Sequence, residues 1–280
     1  MIKKNNSKKI KFVNYYKLRK IHYKTQTTTW KEIEITNWIK NPYTAFKSIF
    51  YIETSALIVY FSQFTNISPN QLTFVYIFFG AIGGLLLASD NSLLILISIF
   101  LIFTKGTFDW ADGLLARIKN QTSNLGNLLD NWGAKVGSYS FFAGFGYYLY
   151  NKSNSEVFLL LIIFTIFLRA IDLKDYSYHL AMYEFTKQRD KKKFFQKLNF
   201  SKNLFSKKKF NLFKILKNFI QNYVDERART IDLILLLILT DTFFYELIFL
   251  QYIFYYMSFK VIVIFFGGIY VTTRKKFLFK

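Results

Sequence analysis

Three aspartates set in apolar surroundings carry the chemistry of this sequence. Asp109 and Asp112 stand three residues apart, so on a helix both carboxylates share one face. Asp130 lies four residues after Gly126, on the next apolar segment, where it can meet that pair. A charge inside an apolar helix costs about 3 kcal/mol even on the gentler insertion scales, so three such acids call for a reason. Converging carboxylates repel one another unless a cation holds them, and hard oxygen donors without Cys or His select Mg²⁺ or Mn²⁺. Gly113 and Ala116 leave a groove in which a phosphate group can approach the helix backbone, and Arg117 offers that phosphate a fixed positive charge. A metal flanked by small residues and an arginine is the equipment of phosphoryl transfer, where positioning and charge neutralisation supply most of the catalysis.

The elements that must position these residues are membrane helices. With 52% hydrophobic and 21% aromatic residues, the 280-residue chain has too little polar surface to coat a soluble globule. Six segments approach the length of a span, at about 69–88, 93–118, 126–149, 156–180, 231–247 and 250–272. Ser68 can cap the first, with Pro69 at its first helical position. Lys and Arg number twelve in 1–47, fourteen in 183–229 and four after Thr273, whereas the loops after the first and third spans are poor in them. Six spans put all three basic regions on one side, as the positive-inside rule demands. A seventh apolar stretch at 44–64 contains Lys47 and Glu53 and would break that parity, so it is assigned to the membrane surface.

The expected fold is therefore an all-α integral membrane protein with six transmembrane helices plus an N-terminal interfacial amphipathic helix. Its parts are a basic cytoplasmic tail (1–43), the interfacial helix (44–65), a six-helix membrane domain (66–273) with a basic cytoplasmic insert at about 183–229, and a cytoplasmic tail (274–280). The insert at 187–217 interleaves Lys clusters with Phe and Leu, which suits anionic headgroups better than a plain solvated loop. The start is basic but has no apolar stretch after it and no cleavage site, so no signal peptide is read. Cysteine is absent, which excludes disulfides and thiolate metal sites. The net charge of +21 sits on membrane flanks and not on a folded basic face, so no nucleic-acid partner is expected.

The segment D-x-x-D-G-x-x-A-R at 109–117, followed after eight residues by Gly126 and after three more by Asp130, resembles the signature of the CDP-alcohol phosphatidyltransferase family (class I) at every interval. The stretch ISPNQLT at 67–73 is similar to the Pro-Asn-x-x-Thr opening of that family's first span. The resemblance covers roughly 66–150 closely and the rest by topology. It implies a transferase of phospholipid biosynthesis in which an alcohol attacks the β-phosphorus of CDP-diacylglycerol or another CDP-alcohol and CMP leaves. It further implies Asp109, Asp112 and Asp130 as metal ligands, with Asp130 also catalytic, and Asp112, Gly113, Ala116, Arg117 and Gly126 on the nucleotide side. A homodimer, embedded in the cell (inner) membrane with both termini and the active site cytoplasmic, completes the expectation.

At one position the sequence departs from that pattern. The family's fourth aspartate, ligand and general base, is Ala134 here, and neighbouring Lys135 has the wrong reach and protonation to replace it. Three readings stay open: a branch that recruits another base or relies on an acceptor phosphate, a member that binds CDP-lipid without turnover, or an altered sequence. Arg169 with Asp172 could hold an acceptor phosphate or form an intrahelical ion pair. Arg229, with Arg227, is a second candidate for that phosphate, against the plainer reading of a membrane anchor. The GAIGG run at 80–84 reads as close helix packing, and Asp241 and Glu246 as interfacial. A small transporter would also place acids in spans, but it gives no reason for Gly113, Gly126 and Arg117 at these intervals.

Overall fold

A computed structural model describes residues 13–29, 42–171, 228–244 and 247–273, and every regular element among them is a helix. In chain order these are α1 (Tyr15–Thr29), α2 (Pro42–Ser62), α3 (Pro69–Leu87), α4 (Ser92–Lys119), α5 (Asn124–Ser153), α6 (Val157–Ile171), α7 (Ala228–Phe244) and α8 (Leu247–Thr273). Within α3, α4 and α8 lie three stretches, Pro69–Leu87, Ser92–Lys119 and Leu247–Tyr270, that are long and apolar enough to cross a membrane. α6 is a shorter apolar helix. The outer faces of α3, α4, α6 and α8 carry bare apolar side chains such as Phe78, Leu85, Phe100, Ile163 and Phe259. Water would penalise that surface and lipid would not.

The chain divides into two compact units, residues 1–145 and 146–280. The first holds α1 to α4 and most of α5. Local sequence fixes its turns. Ser68 caps α3 through a reciprocal box with Gln71, and Pro69 follows at the first turn, where its missing N–H costs nothing. α4 ends on Asn120 in the left-handed conformation (φ 52°), and the backbone N–H of Gln121 returns to Ala116 O at 2.9 Å. Three residues later Ser123 Oγ accepts from the Gly126 N–H at 3.0 Å, the geometry of a helix cap for α5. This short reversal brings the first turns of α5 back beside the last turns of α4.

Glycines permit the tight packing of α3 on α5. A Cβ on Gly144 would fall 1.9 Å from Gly84 O, and one on Gly84 would fall 2.3 Å from the Ser140 carbonyl carbon. The GAIGG run is thus a packing device, as its composition suggested. Beneath the loops, Leu18 of α1, Ala56 and Val59 of α2, Leu72 of α3 and Ala111, Leu114 and Leu115 of α4 close into one core.

The segment read from sequence as a basic tail thus contains a helix. α1 is bound to α2 by polar contacts: Glu53 accepts from Tyr15 Oη at 2.9 Å, Arg19 Nε at 2.5 Å and Tyr23 Oη at 2.9 Å. Gln63 pairs with both the N–H and the carbonyl of Val13, at 2.9 and 3.1 Å.

In the second unit, α6 packs on α8 through Phe158 against Phe254 and Tyr255. Asp241, read from sequence as interfacial, has partners within the protein. It is only 8% exposed and accepts a 2.8 Å hydrogen bond from Tyr148 Oη, with Lys152 Nζ at 3.9 Å. A carboxylate away from water needs such partners, and α5 supplies them. Glu246, Asp172, Arg227 and the basic insert at 187–217 lie outside the described residues, as does the span between 172 and 180.

Candidate functional site

The reversal between α4 and α5 has a consequence for the acids. Asp109 and Asp112 project from one face near the end of α4, and the carboxyl groups of Asp109 and Asp130 come within hydrogen-bonding reach of each other. Asp112 is close enough to Asp130 to interact with its charge. All three line a cavity of about 730 Å³, a volume that suits a nucleotide-sized ligand. Gly113, Ala116, Arg117 and Gly126 line the same cavity. The seven positions singled out between 109 and 130 thus all line this one cavity of the first unit.

Each acid is held by its neighbours. Thr73 Oγ1 donates a 2.5 Å hydrogen bond to Asp112 Oδ2, tying the first turn of α3 to α4. Lys119 Nζ reaches Ile67 O at 2.6 Å and pins the end of α4 to the start of α3. Gly113 does not open onto empty space: the nearest foreign atoms to a Cβ built there are those of the Arg117 guanidinium, at 3.5 to 3.9 Å. The arginine thus folds back one turn, across the very groove the glycine leaves. At Gly126 a Cβ would find Ser123 Oγ at 3.4 Å and Asn70 Oδ1 at 3.5 Å, ordinary contacts.

As donors, three carboxylates without nitrogen or sulfur suit a hard divalent cation, and two carboxyl groups held at hydrogen-bonding range are relieved by one. Among the described residues no three Asp, Glu, His or Cys side chains are drawn together as a closed metal cage. The donor chemistry fits the ion; the side chains must close on it. Ala134 presents an exposed methyl one turn beyond Asp130 and adds no donor.

Arg169 lies in the second unit, on the last turn of α6. Arg229 falls in the first turn of α7, and its side chain lies outside the described residues.

Three contributors were not singled out from sequence. Thr73 was noted only as part of a motif. Lys105 stands one turn before Asp109 on the same face of α4, with its Nζ 5.9 Å from the centre of the Tyr76 ring and within electrostatic reach of Asp109. A charge in an apolar helix was the signal, and it applied to Lys105 as much as to the acids. Gln26 of α1 also lines the cavity, and nothing in a basic, polar stretch marks it out.

Set beside known proteins, residues 66–203 match the model of one family, described as CDP-alcohol phosphatidyltransferase. The matched stretch includes α3 to α6 and with them every acid of the cavity. The chain matches no curated protein sequence.

Proposed function

The chain carries a CDP-alcohol phosphatidyltransferase domain, and we propose that it transfers a substituted phosphate from CDP-diacylglycerol or another CDP-alcohol to an alcohol acceptor. The observation that carries this reading is the gathering of Asp109, Asp112 and Asp130, from two helices, on one cavity with Arg117. The alcohol oxygen bonds to the β-phosphorus, the bond from that phosphorus to the oxygen bridging to CMP breaks, CMP departs, and the alcohol proton passes to a base. Asp109, Asp112 and Asp130 would hold a Mg²⁺ or Mn²⁺ ion, which would supply charge neutralisation for the pyrophosphate. Arg117 adds a fixed cation to the same end of the donor. Gly126, where the wall is uncrowded, leaves room for the nucleotide, as does Ala116.

The setting we propose is six spans in the cell membrane, with α2 lying on its surface and the cavity and both termini on the cytoplasmic side. The distribution of Lys and Arg supports that orientation. Two copies in the membrane form the assembly expected of the family.

Residue 134 favours a second reading. Alanine neither accepts a proton nor holds a metal, so the chain could bind the CDP donor without turning it over. A CMP-release assay separates the two. Purified protein is given CDP-diacylglycerol, Mn²⁺ or Mg²⁺ and a panel of alcohols, beside the Ala134→Asp variant. Release by the unmodified chain establishes transfer and requires a base other than residue 134; release by Ala134→Asp alone establishes the silent binder; release by neither, with no binding of CDP, overturns both.

A further inference from the structure

We propose that α1 is a wall of the nucleotide cavity and that Gln26 on it binds the uncharged, hydrogen-bonding part of the donor nucleotide. This rests on the reading of the cavity as a CDP-alcohol site. The family match begins at residue 66, so α1 lies outside the matched stretch. It is also seated too firmly for a tail, through Glu53, Gln63 and the fully buried Leu18.

The seating ends at the cavity. Gln26 Nε2 lies 3.2 Å from His22 Nε2, and His22 Nδ1 lies 3.0 Å from Ser55 Oγ, which itself donates to Ile52 O at 3.2 Å. An amide nitrogen can only donate, so His22 Nε2 accepts, Nδ1 carries the proton, and the chain of hydrogen bonds runs from Gln26 through His22 and Ser55 to α2. The His22 ring also packs at a tilt against Trp110, with ring centroids 5.7 Å apart, and Trp110, between the two α4 acids, lines the cavity as Gln26 does. Gln26 is thus positioned through His22 and Ser55, the kind of support that preorganises a binding group.

The chemistry of the cavity indicates what Gln26 meets. Asp109, Asp112, Asp130 and Arg117 concentrate the charge on α4 and α5, which suits pyrophosphate and a cation. A neutral primary amide contributes nothing to that balance, but it both donates and accepts, matching the edge of a cytosine or the hydroxyls of a ribose. Polar recognition of this kind discriminates between ligands that match the amide and ligands that do not.

The test measures binding of CDP and UDP with Mn²⁺ present, and of Mn²⁺ alone, to the full chain and to Gln26→Leu. The expected result is a roughly tenfold loss of CDP affinity in the variant with Mn²⁺ binding unchanged. A loss confined to CDP assigns the contact to the base, and an equal loss for UDP assigns it to the ribose. CDP affinity within twofold of the unmodified chain, or a parallel fall in Mn²⁺ binding, overturns the proposal and leaves the functional reading standing. Failure of the unmodified chain to bind CDP removes that reading itself. If Gln26→Leu does not accumulate in the membrane, Gln26→Asn, one methylene shorter, carries the same test.

Discussion

Thr73 and Asp112 are joined by a 2.5 Å hydrogen bond, and through it the N-terminal part of α3 sets the direction of a carboxylate on α4. Thr73 is buried, and its hydroxyl also approaches Pro69 O at 3.3 Å. The cost of losing it falls on the ligand site, because Asp112 without its donor is free to turn. Thr73→Val, nearly isosteric, is expected to reduce stability by about 1 kcal/mol and Mn²⁺-dependent CDP affinity about tenfold. Thermal unfolding in detergent and nucleotide titration read the two effects separately.

Asp109 and Asp130 repel in the absence of a cation. Asp130→Asn removes one charge and converts the contact into an ordinary hydrogen bond. The variant should be more stable than the unmodified chain without metal, by about 1 kcal/mol, and should no longer gain stability when Mn²⁺ is added. A Mn²⁺ response equal to that of the unmodified chain would remove Asp130 from the ligand set.

Lys105 places a positive charge one turn from Asp109. A positive charge within electrostatic reach of the acids opposes the binding of a divalent cation by at least about 1 kcal/mol. Lys105→Met should therefore raise Mn²⁺ affinity about fivefold, measured by titration calorimetry. Unchanged or weaker affinity would show that the lysine does not act on the ion through charge.

The seating of α1 depends on pH. Burial, and then the charge of Arg117, press the His22 imidazole down to about 4, against an ordinary value near 6.5. Above 6.5 neither the seated nor the detached helix takes up the proton. Between 6.5 and 4 only the detached one does, so seating weakens across that window by at most about 3 kcal/mol. Glu53 acts with the same sign lower down. Burial works to raise its carboxyl, but hydrogen bonds from Tyr23, Arg19 and Tyr15 outweigh that and hold it below 4.5, so its contribution is lost as pH falls through the lowered value. Hydrogen exchange in residues 15–29 should accelerate as pH drops below 6.5, once corrected for intrinsic rates, and His22→Gln should flatten the change above pH 4.5.

Two glycines should respond in opposite ways. Gly144→Ala drives a methyl into Gly84 O and is expected to cost several kcal/mol, lowering the thermal midpoint by roughly 10 °C. Gly126→Ala finds ordinary contacts and should leave the midpoint within about 2 °C, so any loss of CDP affinity in that variant reports on the ligand.

The sequence by itself determined the helical class, the three acids and the family to which their spacing points. These are local properties: a charge in an apolar helix is costly wherever it stands, and a spacing of three fixes a shared face whatever the helix packs against. The cap at Ser68 and the packing use of GAIGG were legible for the same reason. Tertiary structure decided what no local rule carries. It brought Asp130 to Asp109 through the reversal at 120–123 and laid Arg117 across Gly113. It buried Asp241 under Tyr148 of a helix 93 residues away in sequence. It folded a helix out of a segment that reads as a charged tail, because the partners that stabilise α1 are Glu53, Gln63 and the α2–α4 core rather than its own residues. Contacts between distant segments depend on geometry that composition does not encode, and for that reason Gln26 and Thr73 at the cavity, and Lys105 beside Asp109, were recognised only once the helices had been packed.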